Sequence, residues 1–480
     1  MIQHVFRRMG FGASAEDLAR YADISPFDLV YELLAFSRTP DIVDSRIGEP
    51  GFASVNVRTA PFSPDTSIAD ARQRELFRMI HSTRPLAEKL ALFWHNHFAT
   101  GYSKVAGAVG QVHGARLMAA RADAVPGNVP GQYEMFRQQG AGRFADLLVS
   151  VAKDPAMLIW LDGRQNTKTR PQENFARELL ELFTLGIGHY TEEDVRAAAR
   201  VFTGWNLRLT GDRANPEASY YGFVFNAAQH DSGPKTFSFP IYPNGGATIP
   251  ARGGDAGVED GHDLLEALAR HPATARRLAE RWYAYFVSET RPPDEDTLAA
   301  VVSTYLGTGT SIFRALERLF TSRAFLDPAN EFSRYSWPIE FVVRAIRETG
   351  WNGFSVDTAM TPLVNMGQQL YAPSNVSGWA TGPAWFSSGT MLARMNFAAT
   401  LTRNQKAALG EAVTPYAQSP DRLLGGLLNR YSFAPMDDAV YRALTDYVNA
   451  GGWKGTAAQV TNKAAGAAHL ILVSSEYQFN

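Results

Sequence analysis

Apolar positions recur at spacings of three and four along most of the chain, and that period predicts a mainly α-helical protein. Helices are expected from about Ala15 to Tyr21, Ile68 to His81, and Pro85 onward through LALFWHNHF. Others follow over Tyr133–Lys153, along ENFARELLELFTLG (Glu173–Gly186), after Thr191-Glu192-Glu193-Asp194, and over His262–Arg270 and Ala273–Val287. The last third repeats the pattern from Pro293 to Leu306, Ser311 to Thr321, Trp337 to Thr349, Met391 to Leu409, Leu423 to Tyr431, Val440 to Asn449 and Thr461 to Val473. Ser14 with Asp17, and Thr191 with Asp194, have the spacing of capping boxes. Between Tyr220 and Tyr242 the period switches to two, with Phe223 and Phe225, then Phe237 and Phe239, alternating around Gln229-His230-Asp231-Ser232-Gly233. That switch predicts a small inserted β-hairpin or flap at 220–242. Gly48–Ser67 and the Gly-rich stretch 243–257 read as loops, the second a flexible one. The expected architecture is one large helical domain, residues 1–480, carrying the β-hairpin.

The same helical phase places side chains. In Glu173–Gly186, Asn174, Glu178 and Glu181 fall within one arc with Arg177 beside them, while Leu179, Leu180 and Phe183 take the far side. Two carboxylates one turn apart suit acid/base chemistry or metal ligation, although a solvated face is the commoner origin of such a stripe. Leu185 on the same arc implies that protein partly covers it. Leu86, Leu90, Phe93 and His97 form another stripe, so His97 is expected inside the fold with a carboxylate such as Glu178 or Glu181 as its natural partner. His95 then faces nearly the opposite way, and the two histidines cannot converge on one metal from an unbroken helix. The His230-Asp231 dipeptide reads as a polar turn or as site residues. Met366–Phe386 is a loop dense in Tyr371, Trp379, Trp385 and Phe386, whose rings suit either sugar stacking or the stapling of helices.

Composition removes several classes of function. Forty-six basic and 48 acidic residues give a net charge of −2, which supports neither nucleic-acid nor anionic-membrane binding. There is no cysteine, so disulfides, thiolate zinc sites, iron–sulfur clusters and a cysteine nucleophile are excluded. No window approaches about 18 uninterrupted apolar residues, and MIQHVFRRMGFG lacks the apolar run of a signal peptide. The expected compartment is cytoplasmic, or periplasmic or secreted if a leader has been removed. No phosphate loop occurs, and Gly307-Thr308-Gly309-Thr310-Ser311 reads as a helix stop followed by a cap.

The order of motifs is distinctive: HVFRRMGFG, FWHNHF, ENFARELLELFTLG, TGW at Thr203–Trp205, HDSGPKTF at His230–Phe237, HPATAR at His271–Arg276, MGQQLYAPSNVSGW at Met366–Trp379, and SSEYQ at Ser474–Gln478. In this order the sequence resembles a large bacterial family catalogued as domain of unknown function 1800. The resemblance implies work on extracellular polymers, because family members are often exported and encoded near sulfatase-like proteins. The leading expectation is a hydrolase acting on a small-molecule or polymeric saccharide, with Glu178 and Glu181 as acid and base. His97, His230 and Asp231 would orient groups or supply a water, and Asn174, Arg177, Trp205, Trp379 and Trp385 would contact substrate. Carboxylates one turn apart flank a glycosidic bond poorly, so one of them could pair with Asp231 instead. No cofactor is required by the sequence. The alternatives are a metal-dependent enzyme using Glu178, Glu181 and His97, which lacks the Glu-x-x-His pattern of di-iron bundles, and a non-catalytic helical scaffold or binding protein.

Overall fold

Polar side chains at helix starts set many of the element boundaries. In the computed structural model, which describes residues 1–56, 61–431 and 436–480, both expected capping boxes are formed. Thr191 Oγ1 accepts from the Asp194 amide at 3.2 Å while Asp194 accepts from the Thr191 amide at 2.8 Å, so two orphan donors of the helix end are satisfied. His271 caps the Pro272–Phe286 helix in a similar way, its Nδ1 accepting from the Ala273 amide at 3.1 Å ahead of Pro272. The described residues form 24 α-helices, and the protein is 61% helical and 6% strand. No described helix is long and apolar enough to cross a membrane.

The helices share one contiguous apolar core that extends from Val5 and Phe6 to Leu472 and Tyr477. Through it runs the Pro85–His97 helix, buried on all sides and held by two ionic clamps. On one side Glu88 accepts from Arg78 Nε at 3.0 Å and from Arg137 Nε at 3.1 Å, and Arg137 also reaches Glu75. On the other, Lys89 pairs with Glu340, which Arg334 holds with two bonds of 2.7 and 2.9 Å. Buried pairs of this kind add little net stability, but stripping one partner costs about 3–5 kcal/mol. The clamps therefore fix where the FWHNHF segment sits.

The β elements differ from the hairpin expected at 220–242. β1 (Trp205–Thr210) pairs antiparallel with β2 (Tyr220–Phe225), with Trp205 opposite Phe225. β3 (Lys235–Thr236) pairs with β4 (Thr248–Ile249), inside the stretch read as a flexible loop. The alternating run at 220–225 thus finds its partner upstream. Gly204 allows this, because at φ +81° it turns the chain after the helix that ends at Val201, and its carbonyl accepts from the Asn226 amide at 2.8 Å. The helix expected over Tyr133–Lys153 is two helices, Gln132–Gln139 and Phe144–Lys153, interrupted at Gly140–Gly142. Within the loop read at Gly48–Ser67, residues 57–60 lie outside the described residues.

Candidate functional site

The ENFARELLELFTLG helix does not stay regular. It is α-helical over Glu173–Glu178 and then widens into a π-helical turn, Leu179–Phe183. A helix end leaves carbonyls without intrahelical donors, and here other groups supply them. Thr184 Oγ1 donates to the Leu179 carbonyl at 2.6 Å, and the Gly186 amide, at φ +84°, to that of Leu180 at 3.0 Å. Arg277 donates to the Leu182 carbonyl through Nε and Nη2, both at 3.3 Å, and His97 Nε2 donates to that of Phe183 at 3.1 Å.

That last bond fixes the role of His97. It is 2% exposed, as its stripe predicts, but its partners are a backbone carbonyl and an arginine rather than Glu178 or Glu181. Arg281 Nη1 lies 2.7 Å from Nδ1 and can only donate, so the ring is neutral with its proton on Nε2 and neither nitrogen is free for a metal. Burial first, then the Arg281 charge, holds its pKa well below the ordinary histidine value. His95 does point the other way, yet it is also buried, at 1% exposure. The Met366–Trp379 loop covers it: the Tyr371 amide donates to His95 Nε2 at 3.0 Å, and Tyr371 and Trp379 pack on the ring. Burial pushes its pKa down to about 3.

Glu178 and Glu181 are half-buried on the outer face of their helix. Glu181 accepts from the Tyr190 hydroxyl at 2.8 Å. Partial burial and then the Glu181 charge raise the pKa of Glu178. Arg177 turns outward to Glu192 at 2.8 Å and Glu173 at 3.1 Å, and exposed Asn174 lies 3.5 Å from Asp162. Among the described residues, no hydrogen bond joins Glu178 or Glu181 to His97, His230 or Asp231.

His230 and Asp231 belong to a separate, closed network. Asp231 receives Arg200 through Nε at 2.7 Å and Nη2 at 3.1 Å, and this pair holds its pKa below the ordinary carboxylate value. His230 Nδ1 is 2.9 Å from the Thr203 carbonyl, and its Nε2 is 3.2 Å from Asp260. Fully buried Asp260 also takes Lys235 and, at 3.1 Å, Arg252, which continues to Asp263 at 2.6 Å. Trp205, Trp379 and Trp385 are only 1, 3 and 4% exposed, so none offers an open face to a ligand. Trp205 packs on Phe202 and Phe223 and Trp385 on Trp337, while the Trp379 amide donates to Asn96 Oδ1 at 2.8 Å. They staple the helices.

A cavity of about 460 Å³ is lined by Arg281, the arginine that holds His97. Phe93 and Asn96 of the Pro85–His97 helix, Arg281 and Tyr285 of the Pro272–Phe286 helix, Glu289 and Trp337 form its main walls. Glu289 accepts from the Tyr335 amide at 3.1 Å and the Gly382 amide at 3.3 Å, and burial raises its pKa. Trp337 Nε1 has no hydrogen-bond partner among the described residues. Glu280 also lines the cavity and accepts from Arg276 at 2.6 Å. A larger cavity, about 700 Å³, lies beside Arg318 and Arg323, but two of its aspartates, Asp294 and Asp327, act as helix caps. Sequence reasoning passed over Arg281 and Glu289. A signal was present: Arg277 and Arg281 put like charges four residues apart on one helix, an unfavourable pairing that calls for a reason.

Among the described residues there is no group of three or more His, Asp or Glu side chains placed to hold a metal ion. No curated protein and no solved structure matches the chain significantly. The family model described as protein of unknown function (DUF1800) matches residues 4–479, essentially the whole chain, and the chain belongs to that family.

Proposed function

We propose that this protein is a hydrolase that takes a polyhydroxylated ligand, a saccharide, into the 460 Å³ cavity, with Glu289 as the proton donor. The observation that carries this reading is the meeting, in one cavity, of aromatic walls with a largely buried carboxyl group of raised pKa. A sugar presents an apolar C–H face to a ring such as Tyr285 or Trp337, and its hydroxyl edge to polar groups such as Asn96 and Ser288. A raised carboxyl pKa suits a group that must deliver a proton to a leaving oxygen. Glu280, across the same cavity, is the candidate to activate water.

The test is Glu289→Gln, assayed for turnover on a panel of oligosaccharides and for binding by calorimetry. Turnover should fall by about 10²-fold or more while affinity changes little, because the amide keeps the shape and loses the proton. Unchanged turnover removes Glu289 from the chemistry. A second reading rests on the raised pKa of Glu178 beside Glu181. It predicts that Glu178→Gln, and not Glu289→Gln, abolishes turnover in the same assay. Binding without turnover in the wild-type protein would leave a saccharide-binding protein.

A further inference from the structure

Arg281, which donates to His97, lines the cavity, and among the described residues most of its donors are unmatched. Nη1 donates to His97 Nδ1, whereas Nε and Nη2 make no hydrogen bond, and the guanidinium forms no ion pair among the described residues. Two arginines buried in this core are treated differently. Arg334 has Glu340 on two bonds, and Arg137 has Glu75, Glu88 and Glu134.

The nearby acids are already engaged. Glu280 accepts from Arg276, and Glu289 accepts from two backbone amides with Arg334 at 3.6 Å. Arg277, one turn away, adds repulsion rather than relief, and its hydrogen bonds go to the Leu182 carbonyl. Arg291 lines the same cavity and likewise has no ion pair among the described residues. Even partial desolvation of a cation without a counter-charge is unfavourable, so half-buried Arg281 makes the cavity favourable for an anion. His97 holds the guanidinium by Nη1 and leaves the Nε–Nη2 edge of this cavity-lining residue without a protein acceptor among the described residues, and two parallel N–H donors match the two oxygens of a carboxylate.

We propose that the saccharide taken by this cavity is acidic, a uronic-acid sugar whose carboxylate docks on the Nε–Nη2 edge of Arg281 with Arg291 as a second cation. This rests on the saccharide reading of the same cavity. Calorimetric titration of the full chain with an oligouronate, the matched neutral oligosaccharide and a sulfated oligosaccharide tests both. The oligouronate should bind at least about tenfold more tightly than the neutral chain, the scale of a hydrogen-bonded charge pair. Arg281→Gln should erase that preference, and Arg281→Lys should restore only part of it. Arg291→Gln, at an exposed position where folding is not at risk, should weaken uronate binding by roughly threefold. Equal wild-type affinity for uronate and neutral chains would overturn the acidic-ligand inference and leave the proposed function standing. Tightest binding of the sulfated chain would overturn the carboxylate assignment. No binding of any of the three would overturn both readings.

Discussion

Two charge clusters flank the middle of this chain, and they are built on opposite terms. Around Asp260, every charge has a protein partner: His230, Lys235 and Arg252 converge on one carboxylate, and Arg252 passes on to Asp263. Arg281 lines a cavity, and two of its guanidinium nitrogens have no protein acceptor among the described residues. Both clusters draw on motifs that look functional by composition. A closed network has no capacity left for a ligand, so HDSGPKTF organises the β insertion, whereas the open one leaves donors unmatched where a ligand can reach them.

The contrast is most easily broken at Asp260. Asp260→Ala leaves Lys235 buried without its counter-ion and should cost about 3–5 kcal/mol in urea denaturation. A loss under about 1 kcal/mol would mean that the network is not closed as described. On the other side, His97→Ala removes the donor to the Phe183 carbonyl and opens a buried gap, at a cost of roughly 2–4 kcal/mol. His95→Ala should cost a similar amount, since both rings are buried; a small effect would show that the Met366–Trp379 loop does not cover it.

The pH dependence sharpens the picture of that neutral interior. His95 titrates at about 3 in the fold, against about 6.5 in the unfolded chain. The unfolded state therefore binds the proton first, and this contribution to stability is complete above about pH 6.5 and lost as pH falls toward 3. The slope should be about 1.4 kcal/mol per pH unit in that window, and His95→Gln should flatten it by that amount in pH-resolved denaturation. The smallest effect is expected at Asp231, which is partly exposed: Asp231→Asn should cost about 1 kcal/mol or less despite its two bonds to Arg200, and activity should be unchanged.

Much of the fold could be read from the sequence because its causes are local. Capping boxes, helical period and the burial of His97 each depend on residues a few positions apart, and each is present. The partner of His97 was not legible, since the carbonyl it caps is presented by a π-helical turn that a regular 100° count does not contain. β1 escaped because its strand begins at the last residue of a helix-end motif, TGW. The tryptophans show a different limit. Composition reveals aromatic density, but the ring that packs on Trp379 is that of His95, nearly three hundred residues away in sequence.

The wide turn at Leu179–Phe183 makes the length of its segment as constrained as its chemistry. Removing a single residue there would restore ordinary α-helical winding and rotate the following chain about the axis. The Leu182 and Phe183 carbonyls would then swing away from Arg277 and His97. Substitutions that keep the apolar side can be absorbed by repacking, but a gap cannot, so variation in this stretch should be by replacement and not by deletion.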